Sequence, residues 1–96
     1  MAYEFEWDPV KADQNVRKHG VTFAEAATAF ADPLSAIVPD LRHSASEQRY
    51  ILFGRSEHGR LLAVMHTERG TVVRIISARL ADRRERREYE EGTSDE

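Results

Sequence analysis

Residues 71–79, Thr-Val-Val-Arg-Ile-Ile-Ser-Ala-Arg, constrain the fold of this chain more than any other stretch. Valine and isoleucine pairs stand close together there, and such a run predicts a strand buried on both faces in the middle of a sheet. Arg74 interrupts the apolar run at its centre. A charge on a central strand needs an anionic partner, because an unpaired buried charge is very costly. That partner is either a carboxylate of the same chain or the phosphate of a ligand.

The charge of the chain is unevenly distributed. The net charge is −3, yet residues 42–87 hold eleven arginines and five acidic residues, and the remainder holds three basic and twelve acidic residues. Arginine is the side chain best shaped for bidentate contacts with phosphate. The asymmetry suggests an anionic partner for one part of the chain and a cationic partner for the other. A mixed, solvated surface explains the same numbers and remains the alternative.

Length and composition predict one small domain over residues 1–91, followed by a disordered tail over residues 92–96. The chain contains no cysteine, which excludes disulfides and thiolate chemistry. Its acidic N-terminus lacks a signal pattern, and no apolar run approaches the ~20 residues of a membrane helix. We therefore expect a cytoplasmic protein with no membrane contact.

The N-terminal third is predicted to form a strand followed by a helical hairpin. Residues 3–7 alternate aromatic and acidic side chains, which is typical of a half-buried strand. The Asp-Pro pair at residues 8–9 begins a helix that runs to about His19 and ends at the following glycine. A capping box at residues 22–25 begins the second helix, whose apolar residues share one face and which ends before Pro33.

The remaining residues are predicted to form an antiparallel sheet and a third helix. We predict an edge strand at residues 34–38 and a polar loop at residues 40–48. Three strands of a meander follow at residues 49–55, 60–67 and 71–79, and the helix spans residues 80–91. This last helix carries little apolar surface, so we expect it to be mobile or bound to a partner. The fold class is α+β, with the strand and helical hairpin packed on the meander.

The functional residue types suit cleavage of RNA without a metal ion. The four histidines are scattered with no cysteine beside them, and the glycines build no phosphate loop, so neither a metal nor a cofactor is expected. The reaction needs a base, an acid and a cation that stabilises the phosphorane. We predict that Arg49, Arg74 and Arg79 stabilise the phosphate. His19 and Glu47 are then predicted to transfer or position protons, with His43 a further candidate for this role.

A second group is predicted to contact the RNA chain. Lys11 and Lys18 lie on one face of the first helix, with Asn15 between them. His43 stands in the polar loop, and Arg60 begins a strand. The competing interpretation is a solvated helix face and arginines that pair with nearby acids.

Several of these residues also carry a resemblance to a known family. Phe-Glu-Trp-Asp at residues 5–8, Lys-His-Gly-Val at residues 18–21 and Arg-Ile-Ile-Ser-Ala-Arg at residues 74–79 resemble the BrnT family of bacterial toxins, in order, from residue 5 to about residue 89. The resemblance implies a RelE-like fold and a ribonuclease that arrests translation. One departure is His66, where the family more often has tyrosine, and its role stays open.

The resemblance further implies a BrnA-like antitoxin whose ribbon-helix-helix domain binds operator DNA. Two toxins and two antitoxins would form a heterotetramer, and the toxin would reach DNA only through the antitoxin. The alternative function is a non-catalytic module that binds this partner and acts in regulation of the operator. Degradation of RNA by the purified protein in EDTA distinguishes the two.

Overall fold

The computed structural model describes residues 3–43 and 46–94. Its elements in chain order are β1 (Glu4–Glu6), α1 (Pro9–His19), α2 (Phe23–Thr28), a 3-10 turn (Ala29–Ala31), β2 (Ala36–Pro39), β3 (Tyr50–Arg55), β4 (Leu61–Arg69), β5 (Val72–Leu80) and α3 (Arg83–Ser94). Within the described ranges, no helix is long and apolar enough to cross a membrane.

The strands form one sheet in the order β1-β5-β4-β3-β2. Neighbours from β2 to β5 are antiparallel, whereas β1 pairs in parallel with the first residues of β5. The middle strand is β4, and its residues 61–64 are fully buried. As predicted, residues 72–79 lie within an interior strand, since β5 has β1 on one side and β4 on the other. The prediction that this strand is buried on both faces is wrong, because Arg74 is exposed and Ile76 is only half-buried. Since the short strand β1 reaches only as far as Arg74, the second half of β5 has an open edge.

The helical hairpin covers one face of the sheet and forms the core with it. Buried apolar residues of the hairpin pack on buried apolar residues of the sheet. The hairpin contributes Val21, Phe23, Ala26 and Ala29, and the sheet contributes Leu52, Leu62, Val64, Val73, Ile75 and Ala78. Gly54 allows the closest approach, because a Cβ there would lie 2.7 Å from the carbonyl oxygen of Ala29. His66 is fully buried against Phe30, with ring centroids 4.9 Å apart, and so belongs to this core. The α+β prediction is confirmed.

The last helix, α3, contacts the opposite face of the sheet through polar groups. Phe53 and Arg55 alternate with core residues along β3, so they point away from the hairpin. The guanidinium carbon of Arg55 lies 5.5 Å from the ring centroid of Tyr89. The Tyr89 hydroxyl donates to Asp32 at 2.7 Å. These contacts hold α3 where an apolar stripe is missing.

The bounds of α3 differ from those predicted. Leu80 still belongs to β5, where it pairs with Leu62, so the helix begins at Arg83 rather than at residue 80. It runs to Ser94, and residues 92–94 of the predicted tail are therefore helical. Asp95 and Glu96 of that tail lie outside the described residues.

Asn15 joins α1 to the open edge of β5. Its side chain is buried, and its amide nitrogen donates to the carbonyl oxygens of Val21 at 2.9 Å and Ala78 at 2.8 Å. Its amide oxygen accepts from the backbone N–H of Ala78 at 3.1 Å and the hydroxyl of Ser77 at 3.4 Å. The side-chain amide thus pairs with Ala78 as the backbone of a neighbouring strand would, at the point where β1 no longer reaches.

We expect Asn15→Ala to lower the free energy of unfolding by at least about 2 kcal/mol. The substitution leaves the N–H and carbonyl of Ala78 and the carbonyl of Val21 without this partner, and an unsatisfied buried polar group costs about 1–3 kcal/mol. Urea unfolding followed by circular dichroism measures the loss. Gln14→Ala, at the exposed neighbouring position of α1, is the control. Equal urea midpoints for the two variants would contradict this role for Asn15.

Candidate functional site

A β-bulge in β5 shapes the surface beside Asn15. Met65 lies opposite Ser77, whereas His66 lies opposite Ile75, so Ile76 is an extra residue in the ladder. A bulge bends its strand and changes the direction of its side chains. As a result, Ile76 and Ser77 both line surface clefts, although they are consecutive residues of a strand.

The first cleft lies between α1 and the bulge. It has a volume of about 230 Å³ and is lined by Lys11, Gln14, Asn15, Lys18, His19, Ile76 and Ser77. Lys11 lies four residues before Asn15 and Lys18 three residues after it, so all three share one face of α1. Among the described residues, no carboxylate forms a salt bridge with either lysine. The anchored helix therefore presents two ammonium groups and an imidazole to this cleft.

The second cleft adjoins the first at Ile76 and Ser77. It has a volume of about 210 Å³, and its other lining residues are Asp40, His43, Arg49 and Met65. The Asp40 side chain is only 6% exposed and its oxygens lie 3.0 and 3.2 Å from Nδ1 of His43, whose side chain is 61% exposed. A buried carboxylate thus orients an exposed imidazole through Nδ1, and Nε2 is the nitrogen left to meet a ligand.

Arg79, predicted to bind phosphate, instead holds α3 to the sheet. Its guanidinium donates to both oxygens of Glu85, at 2.7 and 3.0 Å. Glu85 also forms a capping box with Asp82, in which each side chain accepts from the other's backbone N–H. The hydrogen bond from Arg79 lowers the pKa of the Glu85 carboxyl, and the same bond raises the pKa of Arg79.

Arg60, predicted to contact RNA, joins β4 to α2 in a comparable way. Its Nε donates to Glu25 at 2.9 Å, and its Nη2 donates to the carbonyl of Gly20 at 3.1 Å. Glu25 is buried and also accepts from the Ser56 hydroxyl at 2.8 Å. The hydrogen bond from Arg60 lowers the pKa of Glu25, against the opposing effect of burial.

Two further predicted residues form exposed ion pairs at the sheet margins. Arg74 lies 3.1 Å from Glu6, and Glu47 lies 2.7 Å from Arg69. Exposed pairs of this kind contribute little to stability. In each pair the two residues come from adjoining strands, or from a strand and the loop beside it. The sheet alone brings them together, and neither pair lines the two clefts.

The predicted grouping of Arg49, Arg74 and Arg79 around one phosphate is therefore not assembled, since only Arg49 lines a cleft. The structure brings Lys11, Lys18 and His19 together, and it brings His43 and Arg49 to the adjoining cleft. The sequence did not lead to a prediction of Asp40, Ile76 or Ser77 as site residues. For Asp40 the available signal was its position three residues before His43 in a polar loop, whereas no signal in the sequence marks the bulge.

Acid should destabilise the fold through Glu85. Its pKa is below the ordinary value of 4.5 in the folded protein, so the unfolded chain binds protons more readily. The stability from this carboxylate is fully present above the ordinary value and is lost as the pH falls through the folded value. We expect Glu85→Gln to reduce the fall in the urea midpoint between about pH 5 and pH 3. Glu88→Gln, an exposed position on the same helix, is the control, and equal slopes in all three proteins would contradict the assignment.

Two comparisons with known proteins match this chain. The model of a family described as "Ribonuclease toxin, BrnT, of type II toxin-antitoxin system" matches residues 7–85. The 1.1 Å crystal structure of the Brucella abortus ribonuclease toxin BrnT is similar, with a TM-score of 0.65 and 24% sequence identity. The match covers 85% of this chain and 100% of that chain, and at this identity it shows the fold alone. No curated protein matches the sequence.

Proposed function

The chain belongs to the BrnT family of ribonuclease toxins of type II toxin–antitoxin systems, and from this premise we propose that it cleaves RNA without a metal ion in the two adjoining clefts. The observation that carries the proposal is the placement of Lys11, Lys18 and His19 over the bulge of β5 by the Asn15 anchor. The first cleft is therefore open and cationic and contains an imidazole that can transfer a proton. The second cleft, which adjoins it, contains another imidazole.

Lys11 and Lys18 bind the phosphate that is cleaved. The two ammonium groups lie on either side of Asn15 on the α1 face that lines the first cleft, and the hydrogen bonds of Asn15 hold that face in place. Cations fixed before the reaction stabilise the charge that develops on the phosphorane. Arg49 contributes a further positive charge from the second cleft.

His19 and His43 transfer the protons. One imidazole takes the proton of the ribose 2′-hydroxyl as its oxygen attacks the adjacent phosphorus, and the other donates a proton to the departing 5′-oxygen. The products are a 2′,3′-cyclic phosphate and a 5′-hydroxyl, so no atom is added or lost. The histidines line separate clefts that share Ile76 and Ser77, and this arrangement supports an assignment in which they act on opposite sides of one phosphate. Asp40 acts through His43 as a positioning residue.

The chemistry is assigned to Lys11, Lys18, His19, His43 and Arg49 because these are the basic side chains that line the two clefts. Within residues 3–43 and 46–94, no three His, Asp or Glu side chains gather as a metal site. As a toxin of a type II system the protein acts with an antitoxin partner. We propose that cleavage arrests translation and that a BrnA-like ribbon-helix-helix antitoxin neutralises it, two toxins with two antitoxins, and binds operator DNA for both.

Purified protein should degrade single-stranded RNA in EDTA, and Lys18→Ala and His19→Ala should each lower kcat/KM by about 100-fold, the usual cost of removing one fixed group that stabilises the transition state. Urea midpoints should stay near that of the unsubstituted protein, because neither residue belongs to the core. Arg17→Ala is the matched control, since Arg17 pairs with Asp13 outside the clefts. Intact RNA at high protein concentration would overturn the proposal and favour a non-catalytic, partner-binding module.

Asp40→Asn should lower kcat at least about tenfold while leaving KM nearly unchanged, because the carboxylate that holds Nδ1 of His43 and fixes the orientation of its ring is removed. A loss of folded protein would not leave KM unchanged in a sample corrected for its folded fraction. His43→Gln should show the same loss of kcat, and combining both substitutions should add little. Additive losses would separate Asp40 from His43 and contradict the positioning role.

A further inference from the structure

The second cleft combines an apolar floor with polar walls. Met65 and Ile76 are half-buried and form the floor, and the other described residues that line the cleft are Asp40, His43, Arg49 and Ser77, all polar. Helix α3 lies on this face of the sheet, with Tyr89 beside Val38 and Phe53 and with Glu85 paired to Arg79 of β5, but none of its described residues lines this cleft. Two aliphatic side chains are therefore turned toward a ligand-sized space rather than toward a neighbouring element.

The bulge is what turns Ile76 toward this space. Its neighbours Ile75 and Ala78 are buried in the core under the hairpin, and regular alternation between them would place only one of residues 76 and 77 on the open face. The extra residue places both there. An irregular ladder and a half-exposed isoleucine both oppose stability, and core packing explains neither of them.

The shape and chemistry of the cleft suit a flat, partly apolar group. Arg49 presents a planar guanidinium at its wall, and such planes stack on nucleobases even when their N–H groups are engaged. Sites for drug-sized ligands have volumes of roughly 300–1,000 Å³, so a cleft of about 210 Å³ fits a smaller group, such as a single ring system.

We propose that the second cleft seats one nucleobase of single-stranded RNA, on a floor formed by Met65 and Ile76 and against Arg49. The inference rests on the proposed function, which supplies the class of ligand. Because the two clefts share Ser77, a base in the second cleft is joined through its ribose to a phosphate in the first. The base must leave its stack to enter, so base-paired RNA is excluded as a substrate.

Titration of the full chain with mononucleotides, followed by NMR of isoleucine and methionine methyl groups, tests the base site without reference to cleavage. Nucleoside 3′-monophosphates should shift the methyl signals of Ile76 and Met65 and leave Ile37 on β2 unchanged. Ribose 5-phosphate, which lacks a base, should shift signals of the Lys11–His19 region while leaving the Met65 methyl in place, since of the two clefts Met65 lines only the second whereas Ile76 lines both. Met65 shifts that are equally large with ribose 5-phosphate, or absent with every nucleotide, would overturn the base site.

Met65→Ala should raise the Kd for the best-bound nucleotide about tenfold, the change that about 1.4 kcal/mol produces, without changing the Kd for ribose 5-phosphate. Ile37→Ala truncates an exposed strand position that does not line the cleft and should change neither value. Equal losses for both ligands would overturn the proposal. RNA left intact by an unsubstituted protein that still shows base-dependent shifts would overturn only the proposed cleavage, so the two failures are distinguishable.

Discussion

The side-chain amide of Asn15 completes a sheet edge that the backbone leaves open. Strand β1 reaches only as far as Arg74 along β5, and the N–H and carbonyl of Ala78 would otherwise have no partner on that side. Asn15 satisfies both and also accepts from Ser77. Because the same residue lies between Lys11 and Lys18 on α1, the bond that closes the edge also sets the position of the lysines. Stability and the proposed phosphate site therefore depend on one residue.

Two of the arginines predicted to contact RNA serve the fold instead, whereas the lysines of α1 and Arg49 line the two clefts. Arg60 and Arg79 form bidentate contacts with partly buried carboxylates, a geometry to which the planar guanidinium is suited. Lysine is a compact, strongly hydrated charge on a flexible stem, and the lysines of α1 stay exposed at the cleft. The abundance of arginine in residues 42–87 thus reflects, at Arg60 and Arg79, the joining of helices to the sheet.

Local sequence patterns predicted the helices and strands well. They could not predict which side chains the fold brings together from distant parts of the chain. The Asp8 cap, the stop at Gly20 and the Thr22 cap are all present, because each depends on a few neighbouring residues. The roles of Arg74 and Arg79 depend on which acid the fold places beside them, and Glu6 is distant in sequence from Arg74. The pairing of Arg79 with Glu85 agrees with the competing interpretation that the sequence left open, in which the arginines pair with nearby acids.

The bulge at Ile76 disturbs β5 next to the place where the hydrogen bonds of Asn15 support it. An extra residue at Ile76 disturbs the ladder between β4 and β5, and the strand just beyond it has lost β1 as a neighbour. Such a segment would be the weakest part of the sheet without a second support. Asn15 supplies that support at Ser77 and Ala78, directly after the extra residue. The chain can therefore keep an irregular, partly apolar surface next to a cationic helix face, which is the combination that an unstacked nucleotide needs, with its base on one side and its phosphate on the other.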